Sequence, residues 1–501
     1  MTWSARLAVV LAALALSAAA AAAQPATQQA RRLSLEDAIR TAESQSSTIS
    51  ISRAGVARAD GQESQASSQF YPQVNANGGY TKTLKSQFQG FSFGGSDSGA
   101  NKSAATSLAS VGFGAANEYL IGVQASQNLY TFGRLTGQRT AAQAARRVAD
   151  IDLGAQRAQL ALDVTQAYYD AVLGDRLVTI AESTLAQTEE LLRQTTVARQ
   201  VGNESEFDLL KARVTRDNQV PVLLQTRTAR DVSFLHLKQL LEIPLDEPLE
   251  LTTPIEDAPV PAFTGIASAS APDTNAEHRV AVREALENVR AQEAQLQVAK
   301  SERYPALSIT SGYQRLFFPP GTVPNWNEFR QNWTVGLAAQ VPVFTGGRVR
   351  GDEMIAEAGI QEARARAQQA RQLASLDARV AVKQLEQAEA EWVASAGTAE
   401  QAQRAYAIDQ IRYAEGMSTQ TDLAQSRLLL EQATANRAQA ARDRAVARAR
   451  LALLRDLPLQ QGGAPAAAAG AGQAAQPPAP QPQPTTQATA GAPGQFGSDT
   501  P

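Results

Sequence analysis

The chain has 501 residues, no cysteine, two histidines and a formal net charge of −3. The lack of cysteine excludes disulfides, thiolate catalysis and a lipid attached to an N-terminal cysteine. The nearly balanced charge argues against nucleic acid as a partner. His236 and His278 do not lie at helical spacing from another histidine, so no metal site is predicted. Neither a P-loop nor a dinucleotide-binding fingerprint is present, and we predict no cofactor and no enzymatic activity.

Residues 1–23 have the pattern of a secretory signal peptide. Arg6 precedes an apolar run from Leu7 to Ala22, and Ala23 closes a small-residue cleavage site before Gln24. No later apolar run is long enough for a transmembrane helix, which needs about 18 residues or more. We therefore predict an exported protein without a helical membrane anchor.

Three segments of the chain occur twice, which predicts two similar structural halves. The pairs are YPQVNANGGY at 71–80 with YPALSITSGY at 304–313, IGVQASQNLYTFGR at 121–134 with VGLAAQVPVFTGGR at 335–348, and VGNESEFDLL at 201–210 with EGMSTQTDLA at 415–424. The first pair is offset by 233 residues and the other two by 214, so the copies differ by one length change of 19 residues. We place the first repeat at 24–251, a Pro/Ala/Ser-rich connector at 252–274, the second repeat at 275–459, and a disordered Ala/Pro/Gln-rich tail at 460–501.

Each repeat is predicted to contain helix, β-hairpin, long helix and helix in that order. Alternating apolar and polar residues indicate strands, and long stretches without proline indicate helices. In the first repeat these are a helix at 33–68, strands at about 70–88 and 117–131, a long helix at about 133–200 and a helix at 205–243. In the second repeat they are a helix at 275–302, strands at about 304–317 and 331–344, a long helix at about 347–413 and a helix at 419–456.

The long helices of about 67 residues would extend roughly 100 Å, far beyond globular size, and need partner helices along their length. In each repeat the two shorter helices together match the long one, so we predict that they stack end to end against it. Residues of the second long helix also step at coiled-coil spacing. Pro221, where the second copy has Ala435, predicts a kink.

The hairpins alone leave two interpretations open. Long polar connections with aromatic residues near the strand ends are typical of an outer-membrane β-barrel, but a small soluble sheet would have the same alternation. Four strands cannot close a barrel, and each unpaired backbone group at an open edge in lipid costs on the order of several kcal/mol. A membrane-spanning form must therefore be an oligomer.

The duplicated hairpins, the junctions YTFGR and FTGGR, and the Gly-x5-Asp-Leu turns starting at Gly202 and Gly416 resemble the TolC family of outer-membrane efflux proteins of the non-acylated type. The resemblance covers about residues 33–457. It implies a mainly helical protein with β-strands, in which a homotrimer forms one shared barrel of about twelve strands in outer-membrane lipid. Long coiled-coil helices would continue the barrel as a tube across the periplasm.

The resemblance implies the exit duct of a tripartite efflux pump, of a type I protein secretion system, or of both. The partners would be a periplasmic adaptor and an inner-membrane pump of the resistance-nodulation-division or ABC type. The competing interpretation is a structural periplasmic trimeric coiled coil without a pore.

The helical turns contain the candidate functional residues. The resemblance places Asp208 and Asp422 at a periplasmic aperture, where they would form acidic rings that favour cations. Residues Ser205 and Thr419 stand three positions earlier, so both aspartates also fit capping boxes, while Gly202 and Gly416 fit the ends of the preceding helices. Capping alone therefore remains an alternative to a role in selectivity.

The resemblance also suggests a closed-state latch between Tyr413 and Asp208, with ordinary helix packing of Tyr413 as the alternative. Some relatives have an acidic residue where this chain has Gln425, so the ring should be less negative, and an arginine that some relatives use near the aperture is replaced by Ser418. The strand-to-helix junctions are predicted at Gly133 and Arg134 in the first copy and at their equivalents in the second, Gly347 and Arg348.

Overall fold

The computed structural model describes residues 31–85, 116–202, 204–256, 273–319 and 329–459. The predicted signal peptide, the C-terminal tail, most of the connector and the tips of both hairpin loops lie outside the described residues.

The first repeat begins with a short strand, β1 (Arg31–Leu33), and two helices, α1 (Leu35–Gln45) and α2 (Ser47–Ser68). A hairpin of β2 (Gln73–Lys82) and β3 (Asn117–Tyr130) follows, then the long helix α3 (Arg134–Gln200) and helix α4 (Glu206–Leu240). The predicted helix at 33–68 is therefore wrong in one respect. The chain breaks at Ser46, whose side chain accepts a hydrogen bond from the Ile49 N–H and caps α2.

The second repeat follows the short strand β4 (Leu249–Leu251) and opens with a 3-10 turn, Ala276–His278. Its main elements are α5 (Val280–Ser301), β5 (Ala306–Phe317), β6 (Arg330–Gln340), the long helix α6 (Arg348–Ala414) and α7 (Gln420–Leu453). Helices α3 and α6 each have 67 residues, as predicted. The strands are shorter than predicted, and α4 continues through Pro221 as one helix.

The two hairpins form a single antiparallel sheet with the strand order β2-β3-β5-β6. The sequence predicted each hairpin, and the structure adds that they pair with each other through β3 and β5. Within the described residues, β2 and β6 are edge strands with one open side each. The sheet therefore ends in two rows of backbone groups available for pairing.

The long helices pack as the helix lengths predicted. Helix α3 contacts α1 and α2 along one part and α4 along another, while α6 contacts α5 and α7. Alanine supplies most of the buried positions on α6, which allows close approach of neighbouring helices; these positions are Ala363, Ala367, Ala374, Ala378, Ala381 and Ala388. Helix α3 also contacts α5 and α7, so it joins the two repeats.

The main apolar core lies beside a small parallel sheet of β1 and β4. Tyr168 of α3 is fully buried there, and its hydroxyl donates to the Leu33 carbonyl at 3.0 Å and accepts from the Thr253 N–H at 2.9 Å. The two short strands are thereby tied to the long helix. Because β1 precedes the first repeat's helices and β4 follows them, their pairing closes the first repeat on itself, while α7 of the second repeat also contributes to this core.

Both strand-to-helix junctions turn through left-handed backbone conformations. Gly133 and Gly347 precede the long helices with φ of 91° and 89°. The residue before each differs, because Gly346 in the second copy corresponds to Phe132 in the first, with φ of 48°. A side chain is strained at such an angle, but the Phe132 ring stacks on Tyr304 with centroids 4.9 Å apart, and this contact offsets the strain.

Candidate functional site

The two helical turns, at the ends of the long helices away from the sheet, have the predicted glycine geometry. Gly202 and Gly416 have φ of 80° and 73°. The Gly416 N–H donates to the Tyr413 carbonyl and the Met417 N–H to the Arg412 carbonyl, which together form a Schellman motif. Glycine meets the left-handed requirement of both turns without strain.

Both aspartates are the third residue of their helix and bond with the N-cap residue, Ser205 or Thr419, and the two copies differ in detail. At the start of α7 the capping box is complete: the Asp422 N–H donates to the Thr419 hydroxyl, and the Thr419 N–H donates to the Asp422 carboxylate. At the start of α4 the Asp208 N–H donates to Ser205, and the Ser205 hydroxyl donates back to the Asp208 carboxylate at 2.5 Å.

Capping leaves the Asp422 carboxylate exposed and charged. The hydroxyl of Thr419 donates to it at 2.7 Å and that of Ser418 at 3.3 Å. The hydrogen bond from the Thr419 side chain, followed by that from its backbone, lowers the pKa of Asp422 below its ordinary value. The carboxylate therefore remains ionised at neutral and mildly acidic pH. Capping and a fixed surface charge are compatible in this residue.

The predicted hydrogen-bond partner of Tyr413 is wrong. In the described residues its hydroxyl donates to Glu204 Oε1 at 3.4 Å rather than to Asp208. The reason is local: Asp208 folds back on Ser205 as part of the cap, whereas Glu204 lies in the turn before the helix. Burial raises the pKa of the Tyr413 hydroxyl, so it keeps its proton and can donate.

Two further contacts join the turns of the two repeats. Lys211 Nζ donates to Thr421 Oγ1 at 2.5 Å, and the Gln420 side chain donates to the Asp208 carbonyl at 3.4 Å. Sequence reasoning missed these residues and Glu204. The repeat did contain one signal that could have identified Glu204. The 214-residue offset between the copies pairs position 204 with position 418, and Ser418 had already been singled out in the second copy.

The sheet has one apolar and one mostly polar face. The pairing register puts Val74, Val123, Ile309 and Leu337 on the same side of their strands. Trp333 and Leu337 on this face are 74% and 67% exposed. The opposite face carries Gln73, Asn75, Asn77, Thr81, Gln124, Ser126, Ser308, Thr310, Gln314, Asn332 and Thr334.

Aromatic residues lie at both ends of the apolar face. Towards the helices, Tyr130 and Tyr304 lie on either side of Phe132, with centroids 4.5 and 4.9 Å from its ring. Towards the loops, Tyr80 and Tyr119 pair at 4.7 Å. Two aromatic belts separated by an apolar band are typical of a sheet that spans an outer membrane.

The arginines at the junctions have different roles in the two copies. Arg348 contacts Glu302 at 2.6 Å and Asp352 at 2.9 Å, which ties the start of α6 to the end of α5. No corresponding ion pair is found for Arg134 among the described residues. The two strand-to-helix junctions therefore share their turn geometry but not the ion pair.

The described residues contain no cluster of three or more potential metal-ligating side chains. Within the same ranges, none of the helices combines the length and apolar character that crossing a membrane would require.

Comparison with known proteins identifies the family. The sequence profile described as "Outer membrane efflux protein" matches residues 38–241 and 271–455, one segment in each repeat. The chain belongs to this family. Among curated members, it is 28% identical over 247 residues to the toluene efflux pump outer membrane protein TtgF of Pseudomonas putida, a match covering 48% of each protein. The matched region thus spans about half the length of the curated relatives.

Solved structures with the same fold cover more of the chain. A membrane protein from Pseudomonas aeruginosa matches with a TM-score of 0.69 at 18% identity, covering 85% of this chain and 93% of that one. The outer membrane protein VceC of Vibrio cholerae matches with a TM-score of 0.67 at 17% identity, covering 84% and 95%. The predicted TolC-like fold and outer-membrane location are confirmed.

Proposed function

We propose that this outer membrane efflux protein is a passive exit duct, in which a homotrimer joins its sheets into one barrel and its helices into a periplasmic tube. It would conduct substrate delivered by an inner-membrane pump and a periplasmic adaptor, and no step requires catalysis. The relative TtgF is named as part of a toluene efflux pump. That name supports efflux of small molecules over protein secretion as the first use to test.

The observation that carries the proposal is the sheet with an apolar face and two open edges. Strands β2 and β6 lack partners on their outer sides in the described chain, and unpaired backbone groups in lipid are costly. Pairing β6 of one copy with β2 of the next satisfies both edges. With four strands per copy, three copies form a barrel of about twelve strands, wide enough to enclose a channel.

The absence of native cysteine makes the edge pairing directly testable. We would replace Val74 in β2 and Ala339 in β6 with cysteine, because both lie at the helix-proximal end of the apolar face. Oxidation of the double variant in outer membranes should give dimers and trimers on non-reducing gels, while each single variant should give no trimer. A particle with the native mass of a soluble monomer or dimer would contradict the duct.

We further propose that the turns form the closed periplasmic mouth of the duct. Three copies of Asp422 would produce a ring of exposed negative charge, which favours cations. The contacts of Tyr413 with Glu204 and of Lys211 with Thr421 would hold the two turns of each protomer together. Opening would require these contacts to break as the helices of the second repeat move outward.

The charge proposal predicts that Asp422→Asn lowers the preference for cations over anions in planar bilayers. The Asn side-chain oxygen can still accept the hydrogen bond from the Thr419 N–H, so the substitution removes charge with little structural change. The matched control is Asp409→Asn, which removes a half-buried carboxylate from α6 outside the turn. Equal ion preference in the Asp422 variant and the wild type would leave capping as the role of this residue.

A further inference from the structure

The apolar face of the sheet carries only two charged residues among its register-paired positions, and both are cations. Lys82 is the last residue of β2, and Arg315 is near the end of β5. Both lie at the loop-proximal end, away from the helices. No carboxylate occupies the paired positions of this face. Among the paired positions of this face, the charge near the loops is therefore entirely positive.

The position of Arg315 along its strand sets its depth. It follows Ala306, the first residue of β5, by nine residues. At about 3.4 Å per residue and a tilt of about 35–45°, this corresponds to roughly 22–25 Å along the membrane normal. An outer-membrane barrel has an apolar band about 25 Å tall. Arg315 therefore lies at the boundary between the outer leaflet's acyl chains and its headgroups.

The local geometry orients the guanidinium and leaves most of its donors available. Arg315 Nε donates to the Tyr313 hydroxyl at 3.0 Å, and that hydroxyl lies 3.3 Å from Gln331 Oε1. In the described part of the chain, the two terminal nitrogens of Arg315 have no hydrogen-bond partner. Ile121 is its cross-strand neighbour. A guanidinium fixed at one nitrogen beside an apolar surface suits bidentate contact with phosphate.

We propose that Arg315, held by Tyr313, binds a phosphate group of the outer leaflet's glycolipid, with the acyl chains lying along the apolar face beside it. Lys82 supplies a second positive charge at the same rim. The site rests on the outer-membrane location of the sheet and is independent of the cargo of the duct. Its ligand is the phosphate of a lipid, because the guanidinium adjoins an acyl-chain surface rather than an aqueous pocket.

The test uses the detergent-solubilised full-length protein titrated with bis-phosphorylated lipid A, with bound lipid counted by native mass spectrometry. Arg315→Gln should weaken lipid A binding about tenfold, the equivalent of one charge-assisted hydrogen bond. Arg315→Lys should recover only part of the binding, because the positive charge remains but the bidentate contact with phosphate is lost. The matched control is Arg330→Gln, since Arg330 is paired with Leu316 and lies on the opposite face.

Dephosphorylated lipid A should bind the wild type no more tightly than lipid A binds the Arg315→Gln variant, because that variant still keeps Lys82. Unchanged lipid A affinity in that variant would overturn the proposal, as would an equal loss in the Arg330→Gln control. Displacement of lipid A by inorganic phosphate alone would identify a free-phosphate site and also overturn it. Particle mass and conductance, measured on the same preparations, test the duct separately, so its failure would be distinguished from failure of the lipid site.

Discussion

Replacing Tyr413 with phenylalanine tests the contact proposed to hold the periplasmic mouth closed. The substitution removes the hydroxyl that donates to Glu204 at 3.4 Å and leaves the ring in place. A hydrogen bond contributes about 0.5–1.5 kcal/mol net, and the length of this one favours the lower end. In a homotrimer the three copies together contribute about 1.5 kcal/mol, which corresponds to about a tenfold shift towards the open state.

The assay is single-channel recording of the purified protein in planar bilayers. Tyr413→Phe should raise the open probability about tenfold, and Glu204→Gln should have a smaller effect because Gln retains an acceptor oxygen. The control is Tyr406→Phe, two turns earlier on α6, whose hydroxyl makes no hydrogen bond within the described chain but lies near the Arg427 guanidinium. Because burial raises the pKa of Tyr413, the effect should persist from neutral to mildly alkaline pH. If Tyr413→Phe has the same open probability as the wild type, the latch does not exist.

Three further predictions concern packing and ionisation in the helical part, each measured by thermal or denaturant unfolding followed by circular dichroism. Gly137→Ala should destabilise the fold by about 1–3 kcal/mol, because the new Cβ would lie 2.8 Å from the Ala294 carbonyl oxygen and from Val298 Cγ2. The control is Gly154→Ala, where no atom lies within 4 Å of the new Cβ, and it should instead stabilise α3 by about 0.5–1 kcal/mol. Tyr168→Phe should cost about 1–3 kcal/mol by leaving the partly buried Thr253 N–H without its acceptor. Tyr169→Phe removes a hydroxyl with no such bond among the described residues and should be nearly neutral. Burial, with a smaller contribution from Asp152, raises the pKa of Glu284 to about 7. Between pH of about 4.5 and 7 the folded state therefore holds a proton that the unfolded state has lost. The free energy of unfolding contributed by this group falls as pH rises through that range. Glu284→Gln should remove that loss and stabilise the protein at pH of about 8 by about 1–2 kcal/mol, a value reduced for partial exposure, while the exposed control Glu189→Gln should leave the pH dependence unchanged.

The helices, strands, turns and caps along the chain were well predicted from sequence alone. The long helices, the four strands, the glycine turns and the caps each depend on residues within a few positions of one another. Helical periodicity and strand alternation therefore indicate them directly. The duplication adds a second, nearly independent copy of each signal, which explains why Gly202 and Gly416 could be assigned together. The break at Ser46 was missed because a serine inside an otherwise helical pattern does not show whether it will cap a new helix.

Contacts between distant segments required the tertiary structure. Tyr413 and Glu204 are separated by 209 residues, and their pairing depends on how far Asp208 folds back to cap its own helix. The joining of the two hairpins through β3 and β5, and with it the placement of Lys82 and Arg315 on one face, also depends on the register between repeats. Sequence periodicity specifies which side of an element a residue occupies, because that is a property of local backbone geometry. Which side chain lies opposite is decided by the packing of whole elements, and a change of a few ångströms in that packing exchanges one partner for another.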